Sequence, residues 1–129
     1  MFLAQHVTAV ERLLGGPTPR CAALRTGAPF WDDDGTARAE AEEAFTTDCE
    51  ALVALLSRRW GEPEELDLTG CLERLAEGAA VPEPWRTLCP EVRLLHRWRL
   101  DGRWLGLGVG RPGEVLPLRL LAAVGDDAG

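Results

Sequence analysis

The groups whose chemistry extends beyond plain charge are two histidines, four cysteines and a run of aspartates. His96 is the mid-chain histidine, and acid–base catalysis would need it within hydrogen-bond reach of a reacting group and an orienting partner. Cys89 and Asp101 are the residues nearby that could serve in an enzyme of hydrolytic or transfer type centred on His96. The step from Cys89 to His96 matches no spacing with a known mechanical meaning. The structural alternative is a histidine set between Leu94 and Trp98 on an apolar strand face and bonded to a carbonyl or carboxylate, and this is the expected role. No catalytic residue is assigned.

Cys21, Cys49, Cys71 and Cys89 contain no Cys-x-x-Cys pair, so neither a metal knuckle nor a redox motif is legible. The thiols are expected to be free and the chain cytoplasmic, since the N-terminal residues lack the basic and apolar regions of a signal peptide. The Asp32-Asp33-Asp34-Gly35 run fails as a calcium loop. Placing Gly35 at the sixth position leaves Phe30 first and Ala41 twelfth, where carboxylates are required. An Asp or Thr36 capping a helix is the expected use of these residues. Gly106, Gly108 and Gly110 alternate within a strand, whereas a phosphate loop joins a strand to a helix. No cofactor and no metal are expected.

His96 to Gly110 is expected to form a hairpin around Asp101-Gly102, a pair suited to a type I′ turn. This register sets Trp98 opposite Leu105 and His96 opposite Leu107. It also places Arg97, Arg99 and Trp104 on the other face beside the glycines. Three strands are expected at 92–100, 103–110 and 115–124, with Arg111-Pro112-Gly113-Glu114 as the second turn and Leu116, Leu118 and Leu120 facing Val109, Leu107 and Leu105. Pro117 cannot donate to a ladder, so the third strand is expected at the sheet edge. Residues 125–129 read as a frayed tail.

Helical spacing marks residues 2–14, ended by Gly15-Gly16-Pro17, and residues 36–60, where Ala37, Ala41, Phe45, Cys49, Leu52, Leu56 and Trp60 form one stripe. Gly61 is the expected left-handed stop. A short helix is expected from Thr69 to Glu77, Leu66 to Leu68 could be extended, and 17–29 reads as loop. Trp85 is expected to seal a core edge. The fold class is therefore α+β: a three-stranded antiparallel meander packed against a long amphipathic helix and an N-terminal helix, in a single domain spanning residues 1–129.

The chain has no Lys, Ile, Asn or Tyr, which points to a GC-rich coding sequence from a high-GC bacterium. With every cation supplied by Arg, the choice of Arg at one position carries no information. Net charge is −7, with 15 acids against 7 Arg in residues 1–82 and 6 against 7 thereafter. This acidity argues against nucleic acid as a partner. The Arg-rich hairpin is the one feature favouring a single-stranded nucleic-acid binder, and Trp98 points away from that face.

The glycine strip must be covered. Either the stems of Arg93, Arg97 and Arg99 lie over it, with Trp104 against Arg99, or a protein partner or second copy of the chain packs there, on a face that also carries Leu95, Val115, Leu121 and Ala123. The expectation is a non-enzymatic protein-interaction or binding module, with Arg97, Arg99, Trp104, Gly106 and Gly108 as its binding residues and a homodimer as one form. No membrane partner is expected.

Overall fold

A computed structural model describes residues 2–29, 35–113 and 116–126. The aspartates at 32–34, Glu114, Val115 and the last three residues lie outside that set, and with them the rejected calcium loop and the proposed Asp cap. The elements are α1 (Phe2–Leu14), β1 (Arg20–Thr26), α2 (Thr36–Trp60), β2 (Glu64–Asp67), α3 (Thr69–Ala76), α4 (Trp85–Leu88), β3 (Leu94–Leu100), β4 (Arg103–Gly110) and β5 (Arg119–Asp126). The class is α+β, as expected. The sheet, however, has five antiparallel strands in the order β1-β5-β4-β3-β2.

Both long helices occupy the residues their periodicity marks. Phe45, Cys49, Leu52 and Leu56 form the buried stripe of α2. Gly35 takes the cap position with φ 100°, so Thr36 is the first helical residue rather than the cap. Gly61 stops the helix with φ 82° but an extended ψ of −174°, outside the left-handed helical well, while its N–H still closes on Ser57 O at 2.8 Å. Arg103 reaches the end of α1, donating to Leu14 O at 2.5 Å and Gly16 O at 2.9 Å, which satisfies carbonyls left open there.

The β3–β4 hairpin has the expected register, with His96 opposite Leu107 and Trp98 opposite Leu105. Its turn residues both have positive φ, 51° at Asp101 and 84° at Gly102, as a type I′ turn requires. The next register does not follow the expected turn. Leu120, not Leu116, faces Val109, and Val124 faces Leu105. The connection after Gly110 is longer than a tight turn, so Leu116 and Pro117 precede the strand and Leu116 is exposed. The slip is four residues, an even number, so the apolar side chains of β5 keep the expected face.

β5 is not an edge. Its outer side pairs with β1, where Cys21 faces Ala123 and the register shifts between Ala23 and Arg25. Gly125 and Asp126 belong to β5, which shortens the expected tail.

The sheet is covered on both sides. On one side α1 and α2 close a core containing Val10, Phe45, Leu52, Leu56, Trp98, Leu105, Leu107, Leu120 and Val124. The Trp98 indole N–H donates to Gly61 O at 2.8 Å and ties β3 to the end of α2. On the other side, Leu68, Leu88, Cys89 and Val92 pack on Leu95, Trp104, Leu121 and Ala123. This second layer, built from residues 68–92, also accounts for the glycines.

Candidate functional site

The glycine strip is filled by the chain itself. A Cβ on Gly106 would meet the Leu95 side chain at 2.8 Å, one on Gly108 would meet Val92 Cγ1 at 2.6 Å, and one on Gly125 would meet the Trp104 indole at 2.5 Å. Glu91 lies over Gly110. The residues above the strip are thus Leu95, Val92, Glu91 and Trp104, and the expected cover by arginine stems is replaced by this closer packing. Glu91 is fixed there by a bidentate pair with Arg119, whose Nε donates at 3.1 Å and whose Nη2 donates to the second oxygen.

Trp104 is buried, with Trp85 stacked on it at 4.8 Å between centroids and 24° between planes. That stack replaces the expected contact with Arg99 and puts Trp85 at the core edge, where it was expected. Arg97 lies 5.9 Å from the Trp104 ring and pairs with Glu64 at 3.1 Å; its side chain is 13% exposed. Arg99 pairs with the same Glu64 oxygen at 3.2 Å and is exposed. Of the five residues singled out in the sequence, Trp104, Gly106 and Gly108 are therefore interior, while Arg97 and Arg99 are drawn to the edge strand β2. Arg97 Nε is buried without a partner among the described residues.

His96 faces a cleft of about 440 Å³ lined also by Thr46, Cys49 and Glu50 of α2, Glu65 of β2, and Arg93, Leu94, Val109 and Arg111. Leu94, expected in the core, is 41% exposed, because α2 packs over β4 and leaves the start of β3 open. Cys89 and Asp101 do not join His96. Cys89 belongs to the layer on the opposite face, and Asp101 lies in the hairpin turn at the far end of β3. The thiol that does line the cleft, Cys49, is pushed up to about 11, chiefly by burial and then by Glu50 and Asp48. A thiol so held stays protonated at neutral pH and is a poor nucleophile.

A second cleft of about 470 Å³ lies on the α3 side, lined by Leu68, Thr69, Leu72, Cys89, Pro90, Glu91 and Val92 and again by Arg93 and Arg111. These two arginines stand where the clefts adjoin, at the end of the sheet where β3 begins and β4 stops. Their backbones are pinned, since Leu68 N donates to Arg93 O at 2.8 Å and Arg111 N donates to Glu91 O at 2.9 Å. Arg111 pairs only loosely with Glu42, at 3.6 Å, and Arg93 has no carboxylate at ion-pair distance among the described residues. Leu72, like Leu94, is 41% exposed.

No family model, curated protein or solved structure matches this chain. Among the described residues, no cluster of three or more His, Cys, Asp or Glu side chains could hold a metal, and no helix is long and apolar enough to cross a membrane.

Little in the sequence announced the cleft residues, because α2, β2, β3, β4 and the loop after β4 each supply one or more of them. His96 was legible as a lone ionisable group on an apolar face. Arg111 is marked in the sequence only as a turn residue, and nothing there marks Glu50 or Glu65. His6, which no spacing marks in the sequence, is buried and bonds Asp48 Oδ2 at 3.2 Å, with Arg25 at 3.4 Å from the same oxygen. That cluster links α1, α2 and β1 and opens on neither cleft.

Proposed function

We propose that the chain is a non-enzymatic interaction module that binds a protein partner across the paired clefts at the Arg93–Arg111 end of the sheet. The observation carrying this reading is the sharing of two guanidinium groups, neither in a close ion pair, by two clefts that each present a leucine 41% exposed. Exposed leucines beside arginines are a surface for burial on association. The segment that fits has leucine-type side chains alternating with carboxylates, so that apolar groups enter the clefts and a carboxylate meets the arginines. Glu50 and Glu65 line the α2-side cleft and disfavour a second carboxylate there. The Arg97, Arg99 and Trp104 face keeps a structural part in this reading, since its aromatic and glycine residues are already engaged.

The test uses a fluorescein-labelled Glu-Leu-Glu-Leu-Glu peptide and its Lys-for-Glu counterpart, followed by anisotropy. Saturable binding of the acidic peptide is expected, weakened about tenfold or more by Leu94→Asp with Arg111→Glu, equivalent to about 1.4 kcal/mol. Equal binding of both peptides, or an affinity untouched by the double variant while its circular dichroism is native, would overturn the proposal. Light scattering separates the second-copy case, in which mass doubles without peptide and the same variant restores the monomer.

A further inference from the structure

We propose that the open edge of β1 takes up the C-terminal segment of a partner protein as a sixth strand, with the partner's terminal carboxylate held by Arg12 and Arg20. β1 is the outermost strand of the order β1-β5-β4-β3-β2, and its one pairing among the described residues is with β5. A strand so placed turns a row of backbone N–H and C=O groups outward, where another extended chain can bond to them. The register shift between Ala23 and Arg25 breaks that row, so the pairing stretch is Arg20 to Ala23. Alongside it runs a cleft of about 410 Å³ lined by α1 and β1 alone. Gln5, Thr8, Ala9 and Arg12 stand on its α1 side, and Arg20 and Ala22 on its β1 side. The small Ala9 and Ala22 leave room between the two elements for a side chain of the incoming strand.

Charge and strand direction together choose the occupant. In a chain of net charge −7, this cleft is lined by two arginines and no acid. Both arginines are exposed, and neither has a carboxylate at ion-pair distance among the described residues. Glu11, next to Arg12, is drawn to Arg59 of α2 at 3.6 Å, and Asp126 accepts from Thr18 Oγ1 at 2.6 Å. Arg12 lies in the last turn of α1 and Arg20 opens β1, with an Arg20 guanidinium nitrogen 3.7 Å from where a Cβ on Gly16 would stand. The two cations therefore share one end of the cleft. The Leu14 and Gly16 carbonyls at that end are already bonded by Arg103, which counters the negative end of the helix. Each pairing in the sheet is antiparallel. A strand added to β1 in the same sense ends where β1 begins, so its last residue arrives at Arg12 and Arg20. A terminal carboxylate there receives charge-assisted bonds from both.

This surface is separate from the Arg93–Arg111 clefts, so the probe carries no acidic side chain. It is Val-Thr-Val-Thr-Val, labelled with fluorescein at its N-terminus and compared as the free acid and as the C-terminal amide. Anisotropy with the whole chain should show saturable binding of the acid, weakened about tenfold or more in the amide, the scale of a bond to a charged group. Arg12→Ala with Arg20→Ala should bring the acid down to the level of the amide while the circular dichroism stays native. Hydrogen exchange read by mass should slow across residues 20–26 when the acid binds. Equal affinity for acid and amide, which needs no variant to measure, overturns the proposal. So does a lack of saturable binding, an acid affinity untouched by the double variant, or protection confined to segments other than 20–26. Light scattering covers the second-copy case: a peptide-free chain of doubled mass, with 20–26 already protected, would assign the edge to another copy and overturn the proposal as well.

Discussion

Single atoms decide much of this fold. Gly108 has Val92 Cγ1 and Leu94 O at 2.6 Å and 3.1 Å from where a Cβ would stand, and the second of these is backbone that cannot swing aside. Gly108→Ala should therefore cost about 1–3 kcal/mol, measured as a lowered urea midpoint at unchanged slope. Gly70 is the counterpart: it is helical, with nothing within 4 Å of its missing Cβ, so Gly70→Ala should stabilise by about 0.5–1 kcal/mol in the same experiment. Asp67 shows how one carboxylate starts a helix. Its Oδ1 accepts from Thr69 N at 2.9 Å and Thr69 Oγ1 at 2.6 Å, and those bonds hold its pKa below the ordinary 3.8. Because the folded value is the lower one, the contribution is fully present above 3.8 and is lost as pH falls through the folded value. Asp67→Asn should accordingly flatten the acid side of the stability profile, read as a smaller drop in melting temperature on going from pH 6 to the acid limb. An unchanged drop would show that the Thr69 bonds form equally well to the protonated acid.

At the scale of elements, the layer formed by residues 68–92 is what turns an exposed glycine strip into an interior. Trp85 is its outer plate over Trp104, so Trp85→Ala should shift tryptophan emission to longer wavelength and cost about 2–4 kcal/mol, with the near-ultraviolet dichroism of the stacked pair lost. The legibility of these elements in the sequence follows their length and regularity. α1, α2 and the β3–β4 hairpin repeat their apolar residues over enough turns or pleats to fix both type and register. β1 does not, because a bulge interrupts its alternation within a strand of seven residues and prolines precede it. β2 is four residues of mostly acidic composition, held by pairing with β3. The register of β5 slipped because Arg111 to Glu114 has turn chemistry, yet the chain goes on to residue 119 before pairing. Leucines recurring at even spacing allowed the core face to be identified even so.

At the scale of the molecule, the sheet is sandwiched, and each side is closed by a different part of the chain. The glycine strip, the most unusual feature of the sequence, belongs to the fold. At the sheet end, Arg93 and Arg111 stand between two clefts. This location could not be read from sequence because residues from many separate parts of the chain converge there only after both layers have packed. Arg97 and Arg99, conspicuous as neighbours of Trp98, are tied to Glu64 and hold β2 on the sheet.

Leucine methyl spectra report directly where a partner docks. With leucine methyls labelled, titration with the Glu-Leu-Glu-Leu-Glu peptide should shift Leu72 and Leu94 progressively and saturably, while Leu105, Leu107 and Leu121 stay within error. Shifts confined to Leu95 and Leu121, the leucines bordering Trp104 and the glycine strip, with Leu72 and Leu94 unmoved, would contradict the account.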